Sequence, residues 1–207
     1  MEVSSLIQPA WFISRINLIK MIYPPTFKTN RLILKPVTEA DIPAYEKHFI
    51  DYEVIRHLAA AVPWPYPADG VRKFVLDYIL PTQGKNHWVW GIFLKQAPDE
   101  LIGVVDLWTP GKPEHRGFWL GRKFWGQGYM TEAVAPVNDF AFDQLGFEKL
   151  IFSNAKGNTH SHRVKVKTGA RLLGNGAGKF VDPAYHETEE WELTKEEWDK
   201  YKKSTRR

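Results

Sequence analysis

The chain has 207 residues, 43% of them hydrophobic and 25% charged, and no cysteine. That composition suits a single soluble domain and argues against a largely disordered chain. The missing thiol rules out disulfides, thiolate nucleophiles, Cys-zinc sites and iron–sulfur clusters. The net charge is +4, but residues 1–145 balance 15 basic against 15 acidic groups, so residues 146–207, with 13 and 9, carry the whole excess. No apolar run approaches the ~20 residues of a membrane helix, so no membrane partner is expected. A cysteine-free composition accords with the cytoplasm.

Residues 1–25 read as an N-terminal extension ahead of a single domain spanning 26–207. Its apolar patches (Leu6, Ile7, Trp11, Phe12, Ile13) are interrupted by Arg15, Asn17 and Lys20. No basic run precedes it and no small-residue cleavage site follows, so it does not read as a secretory signal. An added amphipathic helix, a partner-binding arm, or sequence upstream of a start at Met21 all fit it. Residues 31–34 read as a strand. Thr38 and Asp41 supply a hydroxyl cap and a first-turn acid, which predicts a helix to about residue 50. Residues 63–67 form a stiff Pro-rich loop. Apolar residues then recur at helical spacing over 68–80, until Pro81. Residues 87–94 and 101–108 read as strands around a turn at 98–100, and 115–121 as a third. A helix to about residue 145 follows, with a kink predicted at Pro136. Residues 150–154 are then a strand reached by a parallel crossover. Residues 159–168 alternate like a strand but sit where a helix belongs. Residues 189–193 form a late strand, and Thr194 with Glu197 makes a capping box for a last helix. The total is a mixed α/β (α+β) fold.

Gly126 and Gly128 fall between a strand and a helix. A helix N-terminus carries unpaired N–H groups and partial positive charge, and glycine lets an anion approach them closely. Successive amides there can cradle a diphosphate; a plain tight turn is the structural alternative. No Gly-Lys-Ser/Thr follows, which argues against an NTPase phosphate loop. The third glycine of a dinucleotide fingerprint is missing, and several strands come first. Further on, Lys149, Lys156, Arg163, Lys165, Lys167, Arg171 and Lys179 occur with no carboxylate among them. A solvated basic face, a phosphorylated cofactor or a nucleic acid would each account for that run.

Taken in order, these stretches resemble the GNAT N-acetyltransferase superfamily, and within it the RimJ/RimL type of ribosomal-protein acetyltransferase. Residues 29–34 with 38–41 are similar to its opening strand and helix, and Ile102-Gly103 to its third strand. Residues 117–121 followed by 124–133 are similar to its cofactor motif. Residues 158–164 through 167–171 are similar to its Asn-x-x-Ser-x-x-Val…Lys-x-Gly segment. The resemblance covers residues 28–195. It implies a mostly antiparallel sheet with a central splayed parallel pair and helices on both faces. It also implies transfer of an acetyl group from acetyl-CoA, a co-substrate, to an amine, without a metal. The amides of Gly126, Gln127, Gly128, Tyr129, Met130 and Thr131, after Trp125, would then cap the CoA pyrophosphate. Backbone of Trp119, Leu120 and Gly121 would pair with pantetheine, Asn158 would hold that arm, and Arg163, Lys165 and Lys167 would meet the phosphates. Trp125 and Met130 depart from both ends of the family's loop pattern, Arg/Gln-x-x-Gly-x-Gly/Ala.

Attack of an amine on a thioester needs a neutral amine, a polarised carbonyl and a stabilised thiolate. Direct attack in a ternary complex needs no covalent enzyme intermediate, in keeping with the absence of cysteine. An N–H of Trp119 or Leu120 could polarise the carbonyl where the cofactor strand splays. Two residues are candidates for the base. His115 stands where the family often has Glu, and imidazole titrates near ~6.5. Asp106 lies inside the apolar run 104–108, where a carboxylate needs a reason. Ser161 is the hydroxyl candidate for the thiolate, because no Tyr occurs from 130 to 184; it could equally cap a helix. His160 and His162, two apart on a helix, point away from each other and do not read as a metal pair. The acceptor is left open as a small-molecule or peptide primary amine, a protein N-terminal amine included, and a homodimer is compatible with the chain. Two competing readings stand: a non-catalytic acyl-CoA-binding module and, ranked last, a basic nucleic-acid-binding protein.

Overall fold

The computed structural model describes residues 22–110 and 114–205. Strands β1 (Phe27–Lys28), β2 (Leu32–Pro36), β3 (His87–Leu94), β4 (Ala97–Trp108) and β5 (Arg116–Leu120) form one antiparallel sheet in chain order. Strands β6 (Lys149–Ala155), β7 (Arg171–Ala177) and β8 (Glu187–Thr194) form a second, ordered β6-β8-β7. The parallel neighbours β5 and β6 meet at one end only. There the His115 N–H donates to the Ile151 carbonyl at 2.8 Å, and the Ile151 N–H donates to His115 Nδ1 at 3.1 Å. Among the described residues no ladder joins the two strands beyond that clip, which gives the splayed pair that the resemblance implied.

Helices cover both faces of the larger sheet. On one face α1 (Ile42–Phe49), α2 (Tyr52–Ile55) and α3 (residues 70–82) pack through Tyr45, Phe49, Val54, Val71 and Val75 on Val89, Phe93, Val104 and Trp119. The start of α1 is fixed by Asp41 Oδ2, which accepts from Thr38 N–H at 2.8 Å and Oγ1–H at 2.9 Å. On the other face α4 (Tyr129–Asp139) packs Val134 and Val137 on Leu34, Trp90, Ile92 and Val105. Pro136 lies within α4 without ending it. The irregularity falls downstream, where the Phe140 N–H reaches both the Pro136 and Val137 carbonyls and the helix widens over Phe140–Gln144. The final helix, α6 (Lys195–Thr205), starts from the expected box, with Glu197 Oε2 accepting from Thr194 N–H at 2.8 Å. Among the described residues no helix is long and apolar enough to cross a membrane.

Three local expectations change. The β3–β4 hairpin turns before Ala97, and residues 98–100 belong to β4, where a register shift near Phe93 absorbs the extra length. Residues 159–167 resolve as helix α5 (Thr159–Lys167), because Asn158 Oδ1 accepts the Ser161 N–H at 3.1 Å and caps it. Strand β7 was not foreseen: Gly174 and Gly176 weaken its pattern and Leu172 and Leu173 are exposed. The chain is already tied to the sheet ahead of residue 26. Trp88 Nε1 donates to the Ile22 carbonyl at 2.6 Å and Trp90 Nε1 to the Pro25 carbonyl at 2.8 Å. The rest of the proposed extension, residues 1–21, lies outside the described residues.

Candidate active site

β5 and β6 part to form a cleft of about 710 Å³ lined from both sheets. At its mouth Gly126 and Gly128 have φ of 74° and 79°, left-handed values that glycine adopts without penalty. Gly128 precedes α4 as its cap residue. Among the described residues the amides of 126–131 donate to no carbonyl or side chain, and Glu132 is the first whose N–H returns to the chain, to the Gly128 carbonyl at 3.1 Å. The mouth is thus a row of free N–H groups at the positive end of a helix. Arg31 braces it from outside. Its Nη1 donates to the Gln127 carbonyl at 2.9 Å, its Nε to Glu132 at 2.7 Å, and its guanidinium lies 4.5 Å over the Tyr129 ring. Burial alone would raise the Glu132 carboxyl, but the bonds from Thr29 and Arg31 hold it below the ordinary value.

Of the predicted cofactor residues, Trp119, Leu120, Trp125, Gly126, Gly128, Tyr129, Met130, Thr131, Asn158, Arg163 and Lys165 line the cleft. Gly121 and Gln127 do not. The Gly121 N–H is spent on the Ile102 carbonyl at 2.9 Å, and its Cα faces His48; the Gln127 amide turns back to the Lys123 carbonyl at 3.2 Å. Trp125 fills its departure from the family pattern with structure: its Nε1 donates to the Leu120 carbonyl at 2.6 Å, and its ring lies 5.0 Å from His160. The Met130 side chain is buried in the core, so this residue offers the mouth only its backbone. Arg163 is exposed, as is Lys167, which also lines the cleft.

Lys165 requires a correction. It does not face phosphates. Its Nζ is buried, donating to the Ser153 carbonyl at 3.0 Å and to Ser161 Oγ at 2.8 Å. Helical spacing turns 165 inward with Ser161 while 163 and 167 face out. Burial, reinforced by the Arg116 charge, holds its ammonium well below the lysine range. Arg116 was missed. It alternates with Phe118 and Leu120 on the inward side of β5, a register visible in the sequence. Its Nη1 donates to Asn138 Oδ1 at 2.5 Å, and burial pushes the guanidinium down to about 9.

The two base candidates differ in surroundings. His115 forms part of the clip, edge-on to Phe147 and outside the cleft lining. Asp106 is likewise outside the cleft lining and projects on the α1–α3 side, reaching the cleft-lining Gly117. Its Oδ1 accepts the Gly117 N–H at 2.7 Å, and Oδ2 lies 3.0 Å from His87 Nε2. His87, 19 residues away and unpredicted, stacks on Trp108 at 3.6 Å. A Cβ at Gly117 would stand 2.6 Å from Asp106 Oδ1, so the carboxylate leans across β5 only because that position is glycine. His160 and His162 do point apart, to Trp125 and to Glu189. Among the described residues no three metal-capable side chains gather.

The site thus joins a helix-headed row of amides to a channel between two parting strands. Residues 31–171 match the family model of the acetyltransferase (GNAT) domain, and the chain belongs to that family, as an acyltransferase. An Aspergillus fumigatus relative, FsC-acetyl coenzyme A-N(2)-transacetylase, is 27% identical over 188 residues, covering 84% of this chain and 78% of its own. The solved acetyltransferase of Agrobacterium tumefaciens is 26% identical with a TM-score of 0.65, over 84% of this chain and 96% of its own. RimL, a ribosomal α-N-protein acetyltransferase solved in complex with coenzyme A, shares the fold at TM-score 0.68 and 20% identity, over 82% and 98%.

Proposed function

We propose that this protein moves the acetyl group of acetyl-CoA to a primary amine by direct attack in a ternary complex. The observation that carries the reading is the run of unbonded amides at 126–131, which open on a cleft of about 710 Å³. Those N–H groups hold the pyrophosphate, with Arg163 and Lys167 outside them as screening charges. A smaller groove of about 490 Å³ shares Gly128, Thr131 and Lys167 and runs on toward Trp198 and Tyr201; it suits the nucleotide end. Trp119 and Leu120 form the β5 edge along which pantetheine lies, and an N–H there polarises the thioester carbonyl.

Asp106 takes the amine proton. It leans over β5 at Gly117, a cleft-lining residue, and His87 fixes its orientation. Ser161 protonates the leaving sulfur. Lys165 donates to a lone pair of its Oγ, which leaves the hydroxyl hydrogen free to point at the thiolate. The acceptor fits best as a peptide or small-molecule amine. Calorimetric titration with CoA, followed by thiol release from acetyl-CoA across a panel of amines, tests the reading. Tight CoA binding with no thiol release on any amine would favour a non-catalytic acyl-CoA-binding module instead.

A further inference from the structure

Two basic side chains sit in the closed end of the cleft, and among the described residues no carboxylate is bonded to either. Arg116 is 3% exposed and Lys165 is 1% exposed. The Arg116 guanidinium lies 4.3 Å from the Phe152 ring and 6.0 Å from the Phe118 ring, and Lys165 Nζ lies 5.7 and 5.6 Å from the same two. Both residues line the cleft. The carboxylates whose charge Lys165 feels are bonded elsewhere: Glu114 to the Ser153 hydroxyl, and Glu189 to Asn154 and His162.

Lys165 is satisfied by neutral oxygens, but Arg116 is not. Its Nη1 is bonded to Asn138, while its Nε and Nη2 are buried and have no acceptor among the described residues. Those two N–H groups share one edge of the planar guanidinium and point the same way, the spacing that receives both oxygens of one carboxylate. Leaving such donors buried and unanswered is unfavourable, because each has lost its water and gained no acceptor.

The direction of the strand sets what can reach them. β5 runs from Arg116, beside the His115–Ile151 clip, to Leu120, which leads into the amide cradle. A thioester anchored by its phosphates at 126–131 threads the cleft from Leu120 toward Arg116, acyl end foremost. At about 3.3 Å per residue, the Arg116 backbone stands roughly 10 Å from Trp119, and its side chain, lying beside Phe118 and Phe152, covers part of that distance, which leaves a gap for a four- or five-carbon acyl chain.

We infer that the closed end of the cleft is a carboxylate subsite, with Arg116 as the fork and Lys165 beside it. The protein then accepts acyl-CoA donors whose acyl group ends in a carboxylate, of about succinyl length, besides acetyl-CoA. This rests on the acyl-CoA reading above. The transfer balances as before. The amine nitrogen bonds to the thioester carbon, the C–S bond breaks, sulfur leaves with a proton, the amine gives one up, and the distal carboxylate is unchanged.

The test is calorimetric titration of the full chain with CoA, acetyl-CoA, butyryl-CoA and succinyl-CoA. The last two carry four-carbon acyl groups that end in a methyl and a carboxylate. Succinyl-CoA is expected to bind about tenfold tighter than butyryl-CoA, and in Arg116→Met that ratio falls to within about threefold. Equal or weaker binding of succinyl-CoA to the unmodified chain overturns the subsite, and that result needs no variant to fold. A tenfold preference that survives in folded Arg116→Met overturns the role of Arg116. If none of the four binds, the acyl-CoA reading falls and takes this inference with it. If CoA and acetyl-CoA bind with no succinyl preference, the inference alone is lost.

Discussion

The two ends of the cleft are made of different materials. The mouth is backbone: free amides at 126–131, set by two left-handed glycines and the dipole of α4. The closed end is side chain: Arg116 bonded to Asn138 of α4, and Lys165 bonded to Ser153 of β6 and to Ser161 of its own helix, with Asp106 behind Gly117 on the other face of β5. A site made of amides tolerates changes of side chain, which is why Trp125 and Met130 can leave the family pattern and take structural work instead. A site made of buried charged side chains tolerates little, because each lost partner leaves a desolvated group behind.

The largest effect is expected at the side-chain end. Asp106→Asn removes the proposed base and should lower kcat by about 10²–10⁴-fold on whichever amine the panel identifies; an unchanged kcat would return the role to another group. Gly128→Val strikes the backbone end. Its Cβ has room, meeting only Arg31 Nη2 at 3.5 Å, but a β-branched residue resists φ of 79° and the amide row turns away. CoA affinity should fall about 100-fold, the loss of two or more charge-assisted bonds, read by calorimetry. Retained affinity would show that the phosphates sit elsewhere.

His115→Ala should act on folding. It removes the acceptor of the Ile151 N–H, so the melting temperature should drop by the equivalent of about 1–3 kcal/mol. Lys165→Met tests the buried charge through pH. The folded-state pKa lies well below 10.5, so between the two values the unfolded chain binds more protons and stability rises with pH. The substitution should flatten that rise in denaturant midpoints; an unchanged slope would mean that Lys165 is solvated. The smallest effect belongs to Met130→Leu, which keeps core volume and leaves the backbone alone. CoA affinity should stay within about twofold, and a large loss would show the mouth to depend on side chains after all.

Much of the mouth was readable because it is local. Gly126, Gly128 and the helix after them are contiguous, and so are the capping boxes at Thr38–Asp41 and Thr194–Glu197. The brace on the loop was not readable, since Arg31 reaches Gln127 and Glu132 from about a hundred positions away. The basic run between Lys149 and Lys179 read as one face, yet it splits by helical phase. Arg163 and Lys167 face out, and Lys165 is buried. The alternation of residues 163–167 hid that phase until the Asn158 cap fixed the segment as helix. β7 was missed because its glycines and exposed leucines lack the alternation of a half-buried strand.

By itself the sequence determined most of the order of elements and the amide cradle, because propensity, capping and glycine geometry act over a few neighbouring residues, while the class of chemistry came from the resemblance of its ordered motifs to the GNAT family. Only the tertiary structure decided which groups do the work at the far end. The Asp106–His87 pair, the Arg116–Lys165 charges and the single clip between β5 and β6 all join residues from different elements. Burial, which sets their charge and availability, is a property of the packed whole and leaves no mark on any one stretch of chain.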